Sequence, residues 1–145
     1  MPPSIPLPLS PYRVLDLTNE RGWLCARMLG DMGADVIKVE PPGGDTGRRF
    51  GPFYRGEAHR EKSIPFWAWN ANKRSVTLDL TTADGQALFR QLVSLSDFVV
   101  ESLGRGHLDN LGLGYEALAA LNPSVILTSI TPYGPEGPKR DWASV

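Results

Sequence analysis

Five short runs rich in Val, Ile and Leu recur along this chain, and the stretches between them carry helical rather than strand periodicity. "RVLDLT" (13–18), "ADVIKVE" (34–40), "SVTLDL" (75–80), "DFVVES" (97–102) and "SVILTSI" (124–130) read as strands, the first two as buried ones. Between the first pair, Cys25, Met28, Leu29 and Met32 fall at i, i+3, i+4 and i+7, one face of a helix that Gly33 would end. After the third run, "TTADGQALFRQLVSLS" places Leu88, Leu92 and Leu95 on one helical face, with Thr81 and Asp84 resembling a capping box. A short helix is expected over Tyr115 to Leu121. Strands that alternate with helices pair in parallel through right-handed crossovers, so the predicted fold is α/β: a Rossmann-like parallel sheet with flanking helices.

Composition narrows the partners more than the fold. With 145 residues, 41% of them hydrophobic, the chain can bury one sizeable core. A formal charge of −1 argues against nucleic acid as a partner, so any basic site must be local. Residues 1–11, "MPPSIPLPLSP", form a Pro-rich extension without the charged segment and apolar stretch of a signal peptide. No apolar run approaches the ~18 residues of a membrane span. The expected protein is soluble and cytoplasmic, with no membrane partner. Cys25 is the lone cysteine and reads as a core thiol; His59 and His107 are too far apart to suggest a metal site, so no metal is expected.

In a parallel sheet, ligands collect where strands deliver their carboxyl ends to loops. The longest such loop runs from Pro41 to Arg74. From Arg48 to Arg74 it carries Arg48, Arg49, Arg55, Arg60, Lys62, Lys73 and Arg74 against Glu57 and Glu61, beside Phe50, Phe53, Tyr54, Phe66, Trp67 and Trp69. Cations next to aromatics suit a ligand with phosphates and a flat base, although "IPFWAW" also reads as a helix packed into the core. A dinucleotide would want G-x-G-x-x-G at the first turn; "TNERGWL" has one glycine, Gly22, even though Glu40 stands where a ribose-binding acid belongs. Single-stranded nucleic acid lacks a supporting motif. An adenine-nucleotide carrier such as coenzyme A remains open on these residues.

At "GADVIKVEPPGGD", "NANKRSVTLDL" and "VVESLGRGHLDNLGLGYEALAALNPSVILTSITPYGPEGP" the sequence resembles the family III coenzyme A transferases, which include formyl-CoA:oxalate CoA-transferase, carnitine CoA-transferase and α-methylacyl-CoA racemase. The likeness runs from Tyr12 onward and implies that residues 12–145 are the coenzyme A-binding N-terminal part of a larger, interlocked-dimer fold. It implies a homodimer in full-length form, acyl-CoA and a carboxylic acid acceptor as partners, and a nucleophilic aspartate beyond the end of this chain. No catalytic residue is therefore assigned, and the chain alone is expected to be inactive. Asp141 does not match that aspartate and reads as surface or interface.

The resemblance also implies where coenzyme A is held. It points to Asn19, Glu20, Arg21 and Gly22 after the first strand and to Asn72, Lys73, Arg74 and Ser75 as a coenzyme A contact, whose cations suit phosphate oxygens. Gly104, Arg105 and Gly106 would lie near the nucleotide, and Tyr133 near the thioester end. The chain departs from the family at Gly22-Trp23-Leu24, where Ala-Gly-Pro is common, at Arg105, where a proline is usual, and at Asn19, where some members have histidine. Two other readings stay open: the racemase branch, which uses an acid/base pair on the acyl α-carbon, and a non-catalytic nucleotide-binding or assembly module. Asp16 and Glu101 read as strand-end anchors for hydrogen bonds.

Overall fold

A computed structural model describes residues 6–140 and 142; Asp141 lies outside the described residues. Five parallel strands form one sheet: β1 (Arg13–Leu17), β2 (Asp35–Glu40), β3 (Arg74–Thr77), β4 (Phe98–Glu101) and β5 (Ile126–Ser129), in the order β3-β2-β1-β4-β5. Five α-helices connect them: α1 (Trp23–Asp31), α2 (Ile64–Asn70), α3 (Ala83–Val93), α4 (His107–Asn110) and α5 (Tyr115–Leu121). The α/β class and the helix over Tyr115–Leu121 are as expected. Each strand lies within its sequence run except β3, which begins at Arg74, one residue earlier.

Residues of β1 alternate between two helix-covered faces, so both read as apolar. Leu15 and Leu17 join Ile37, Val39 and Val99 beneath Phe89, Val93, Leu108 and Leu118 of α3, α4 and α5. Val14 joins Val36 and Val100 on the other face, beneath Ala26, Cys25 and Leu29 of α1. α1 closes in a left-handed turn: Gly33 has φ 103° and donates to Gly30 O, and Ala34 N donates to Leu29 O, which satisfies two carbonyls at the helix end. Nearby, Leu9 N donates to Met32 O, which ties the segment before β1 to the same helix end.

Three details of the helices differ from expectation. On α1, Met28 and the C-cap Met32 are exposed and the buried residues are Trp23 and Ala26, because a small alanine lets the helix sit close on β1. On α3, Leu88 is 50% exposed, and Leu95 just beyond its end is 67% exposed, whereas Phe89 and Val93 are fully buried. The cap of α3 is Thr82, whose side chain accepts from Gly85 N at 3.1 Å; Thr81 bonds to Asp79 instead. Phe89 thus carries the packing that leucine periodicity assigned to Leu88. In urea unfolding of the chain, Phe89→Ala is expected to cost about 3–5 kcal/mol and Leu88→Ala less than about 1 kcal/mol; equal losses would contradict the observed face.

Candidate functional site

The strand order reverses direction between β1 and β4, which separates their following loops and opens a crevice at the carboxyl edge of the sheet. The two rims are stitched together. Asn19 N donates to Ser102 Oγ at 2.9 Å, and that hydroxyl donates to Asn19 Oδ1 at 2.8 Å. Asn19 Oδ1 also accepts from Arg21 N at 3.2 Å, which shapes the turn into α1.

Beneath this loop lies a set of buried charges on the α1 face of the sheet. Asp16 is 0% and Lys38 2% exposed, paired side by side in the β1/β2 register. Lys38 Nζ contacts Asp45 at 2.7 Å, donates to Thr18 O at 2.7 Å and lies 3.9 Å from Asp16. Asp16 accepts from Thr18 N at 2.9 Å, Thr18 Oγ1 at 2.6 Å and Lys73 Nζ at 2.8 Å. Asp45 also accepts from Trp23 Nε1 at 3.1 Å and Gly47 N at 2.7 Å. Trp23 packs so close to Gly47 that a Cβ there would fall 2.0 Å from the indole, so this contact requires glycine.

Glu40 ends β2 in a second cluster. Its carboxylate receives Arg48 Nε at 2.6 Å and Nη2 at 2.8 Å, Ser75 Oγ at 2.5 Å and Asp45 N at 2.9 Å. Arg48 in turn stacks on Phe66, 4.0 Å from the ring centroid. Burial pushes the Glu40 carboxyl up, but the Arg48 and Ser75 hydrogen bonds, the Asp45 N–H and the Arg48 charge prevail and hold it at about 2. These partners occupy the acid that its sequence position suggested for a ribose.

The segment Asn72–Ser75 is likewise engaged by the protein. Asn72 Nδ2 donates to Arg27 O and Asp31. The Lys73 side chain is 1% exposed, with Nζ on Asp16 and on Trp23 O at 3.2 Å. Burial pulls its ammonium below the ordinary range against the opposing pull of Asp16. Arg74 grips Asp35 through two bonds of 2.9 and 2.6 Å, and Arg13 grips the same carboxylate at 2.8 Å, clasping β1, β2 and β3 at their amino ends. Ser75 serves Glu40.

Two cavities open along the carboxyl edge. One, of about 770 Å³, is lined by Gly104, Arg105 and Gly106 after β4, by α4, by Ser129 and Thr131 and by Arg140. The other, of about 350 Å³, is lined mainly by apolar side chains from the ends of β1 to β4, with Thr18 and Asn19 at its rim. Both sizes suit small-molecule sites. Gly104 and Gly106 have φ of 99° and 67°, and a Cβ at either would meet nothing within 4 Å, so bare backbone faces open space there. Glu20 approaches Thr46 across the loops at 3.4 Å, and Tyr133 stacks edge-on against Trp142. The structure therefore gathers Asn19 and Gly104–Gly106 at the cavities and turns Lys73, Arg74 and Ser75 to protein partners.

Residues 9–145 match the sequence model of CoA-transferase family III. The chain belongs to that family. Among family III relatives, it is 45% identical over 129 residues to succinyl-CoA:(R)-benzylsuccinate CoA-transferase subunit BbsE of Thauera aromatica, covering 89% of this chain and 32% of the relative. Succinate–glutarate CoA-transferase of Agrobacterium fabrum is 46% identical over 140 residues, covering 94% and 35%. A crystal structure of a CAIB/BAIF family protein from Brucella suis superposes with a TM-score of 0.86 at 41% identity, over 96% of this chain and 37% of that one. The chain spans about a third of the length of the curated family III relatives it matches.

Sequence reasoning missed Lys38, Asp45, Arg48 and Ser102 as organisers of the site. Lys38 offered a signal, a lysine between Ile37 and Val39 inside a strand that pairs with the strand holding Asp16. Cys25 is only partly buried, at the edge of the apolar cluster beneath α1 rather than in the core; burial, then the Asp16 charge, push its thiol up. Among the described residues, no His, Cys, Asp and Glu group is placed to hold a metal, and no helix is long and apolar enough to cross a membrane. Because the folded Glu40 carboxyl titrates below its unfolded value of 4.5, its stabilisation is complete above that pH and is lost as pH falls toward about 2. Acid titration of stability should show this loss, and Glu40→Gln should flatten it; an unchanged acid limb in Glu40→Gln would contradict the assignment.

Proposed function

We propose that this chain forms the coenzyme A-binding part of an enzyme that moves CoA from an acyl-CoA to a carboxylic acid. The observation that carries this reading is the crevice at the β1/β4 reversal, flanked by two cavities, in a chain of CoA-transferase family III. The names of the relatives from T. aromatica and A. fabrum favour a short dicarboxylic acid as the acyl group.

In the proposed reaction an aspartate carboxylate, supplied from outside this chain, attacks the thioester carbonyl. The C–S bond breaks, leaving an acyl anhydride and CoA thiolate. Thiolate attack on the aspartyl carbonyl releases the first acid and forms an aspartyl-CoA thioester. The acceptor carboxylate then attacks that thioester and releases the thiolate, whose attack on the new acyl carbonyl frees the aspartate and yields the product acyl-CoA. Such intermediates hydrolyse unless water is excluded. The part proposed for this chain is to hold the nucleotide and direct the thioester arm.

Direct ligand contact is assigned to Asn19, Glu20, Arg21 and Gly22, to Gly104, Arg105 and Gly106, and to Tyr133. Asn72, Lys73, Arg74 and Ser75 are assigned a supporting part, because their side chains brace α1, β1 and β2. Exposed Leu24, Met28, Trp67 and Trp69 on α1 and α2 favour a homodimer that covers this surface. Calorimetric titration of the chain with CoA should show saturable binding, weakened about tenfold in Arg105→Ala by loss of a charge-assisted phosphate contact. No saturable binding, or an unchanged affinity in the variant, would contradict the site as placed.

A further inference from the structure

One hydroxyl decides how the Asn19 carboxamide is turned. Asn19 N donates to Ser102 Oγ at 2.9 Å, so the hydroxyl's own proton must go elsewhere, and it goes to Asn19 Oδ1 at 2.8 Å. Arg21 N lies 3.2 Å from the same Oδ1, and a backbone N–H can only donate, so the end held there is the oxygen and not the NH2 group. Ser102 is buried and directly follows β4, so the sheet carries this hydroxyl rather than a free loop. Both acceptor directions of Oδ1 are thereby used within the protein. Among the described residues no acceptor is bonded to Asn19 Nδ2, and Asn19 stands half-buried at the smaller cavity. Thr18 and Thr46 line the same cavity, but their hydroxyls face Asp16 and Glu20.

We propose that Ser102 is a positioning residue of the transfer reaction: by holding Asn19 Oδ1 it leaves the NH2 end as a fixed donor toward the thioester carbonyl oxygen. The proposal rests on the transferase reading above and adds a residue that touches no ligand itself. When a carboxylate attacks the thioester carbon, an electron pair of the C=O bond moves onto that oxygen. A donor already aimed at the oxygen stabilises this charge without reorganising. A carboxamide free to rotate would present its oxygen as readily as its NH2 group, and the oxygen would repel the same charge. An amide nitrogen does not take up a proton at neutral pH, so Asn19 serves as a donor and not as a base.

Titration of the chain, Ser102→Ala and Ser102→Thr with acetyl-CoA and with S-ethyl-CoA, a thioether that lacks only the carbonyl oxygen, tests this role. The unaltered chain should hold the thioester about threefold or more tighter than the thioether, the scale of one net hydrogen bond. Ser102→Ala should abolish that preference while thioether affinity stays within about twofold, and Ser102→Thr, which keeps the hydroxyl, should restore it. In NMR spectra the Asn19 Nδ2 proton signals should move on addition of acetyl-CoA in the unaltered chain and in Ser102→Thr, and stay in place in Ser102→Ala. Binding of both ligands without preference by the unaltered chain would overturn the positioning role and leave the coenzyme A reading standing. A preference that survives in Ser102→Ala, or one that Ser102→Thr fails to restore, would also overturn it. Equal loss of both ligands in Ser102→Ala would do the same, because the serine would then serve the fold. If the unaltered chain binds neither ligand, the coenzyme A reading fails and the positioning role falls with it.

Discussion

The Lys38 ammonium is the constraint around which the site is arranged. It sits within a central strand, shielded from water, and such a charge persists only where the protein replaces its hydration shell. Three groups do so: the Asp45 carboxylate, the Thr18 carbonyl and, more distantly, Asp16. Two of these belong to loops that leave adjacent strands at the carboxyl edge. One cation therefore fixes where the β1 and β2 loops lie relative to each other, and with them the rim of the smaller cavity.

The neighbouring contacts extend this arrangement rather than repeat it. Asp45 passes the constraint to Trp23, and Trp23 to Phe66 through an edge-on contact of 5.9 Å, so α1 and α2 are placed by the same acid. Asp16 passes it to Lys73, which holds the start of β3 against the first turn of α1. Buried ion pairs contribute little net stability compared with apolar residues of similar volume, and the lowered Lys73 ammonium shows the desolvation cost here. Stability comes instead from the two apolar clusters that cover the sheet. The charges choose one geometry for the loops.

That division explains what was legible in the sequence. Apolar runs mark strands because burial on both faces demands them, so the sheet and its alternation with helices could be read directly. Helix faces were less legible: Leu88 and Phe89 are both apolar, and only the approach of α3 to the sheet decides which one is buried. The side-chain partners were least legible. Lys73 and Asp16 lie 57 positions apart, and no local pattern tells a lysine that neutralises a buried acid from one that faces a phosphate. Glu40 shows the same limit, since its strand-end position fits a ribose ligand while its actual partners come from Arg48, Asp45 and Ser75. Family likeness supplied the coenzyme A expectation, and one cavity at the carboxyl edge is lined by Gly104, Arg105 and Gly106, which that expectation named.

Amide hydrogen exchange in Lys38→Met tests the central claim most directly. Methionine keeps the bulk and removes the charge, leaving Asp45 and Thr18 O without their shared partner. The account requires faster exchange at Thr18 and Gly47, whose amides bond to Asp16 and Asp45, with little change at Leu15 and Val99 in the sheet. Uniform acceleration across sheet and loops, or no change at Thr18 and Gly47, would contradict a cation that holds the site loops in place.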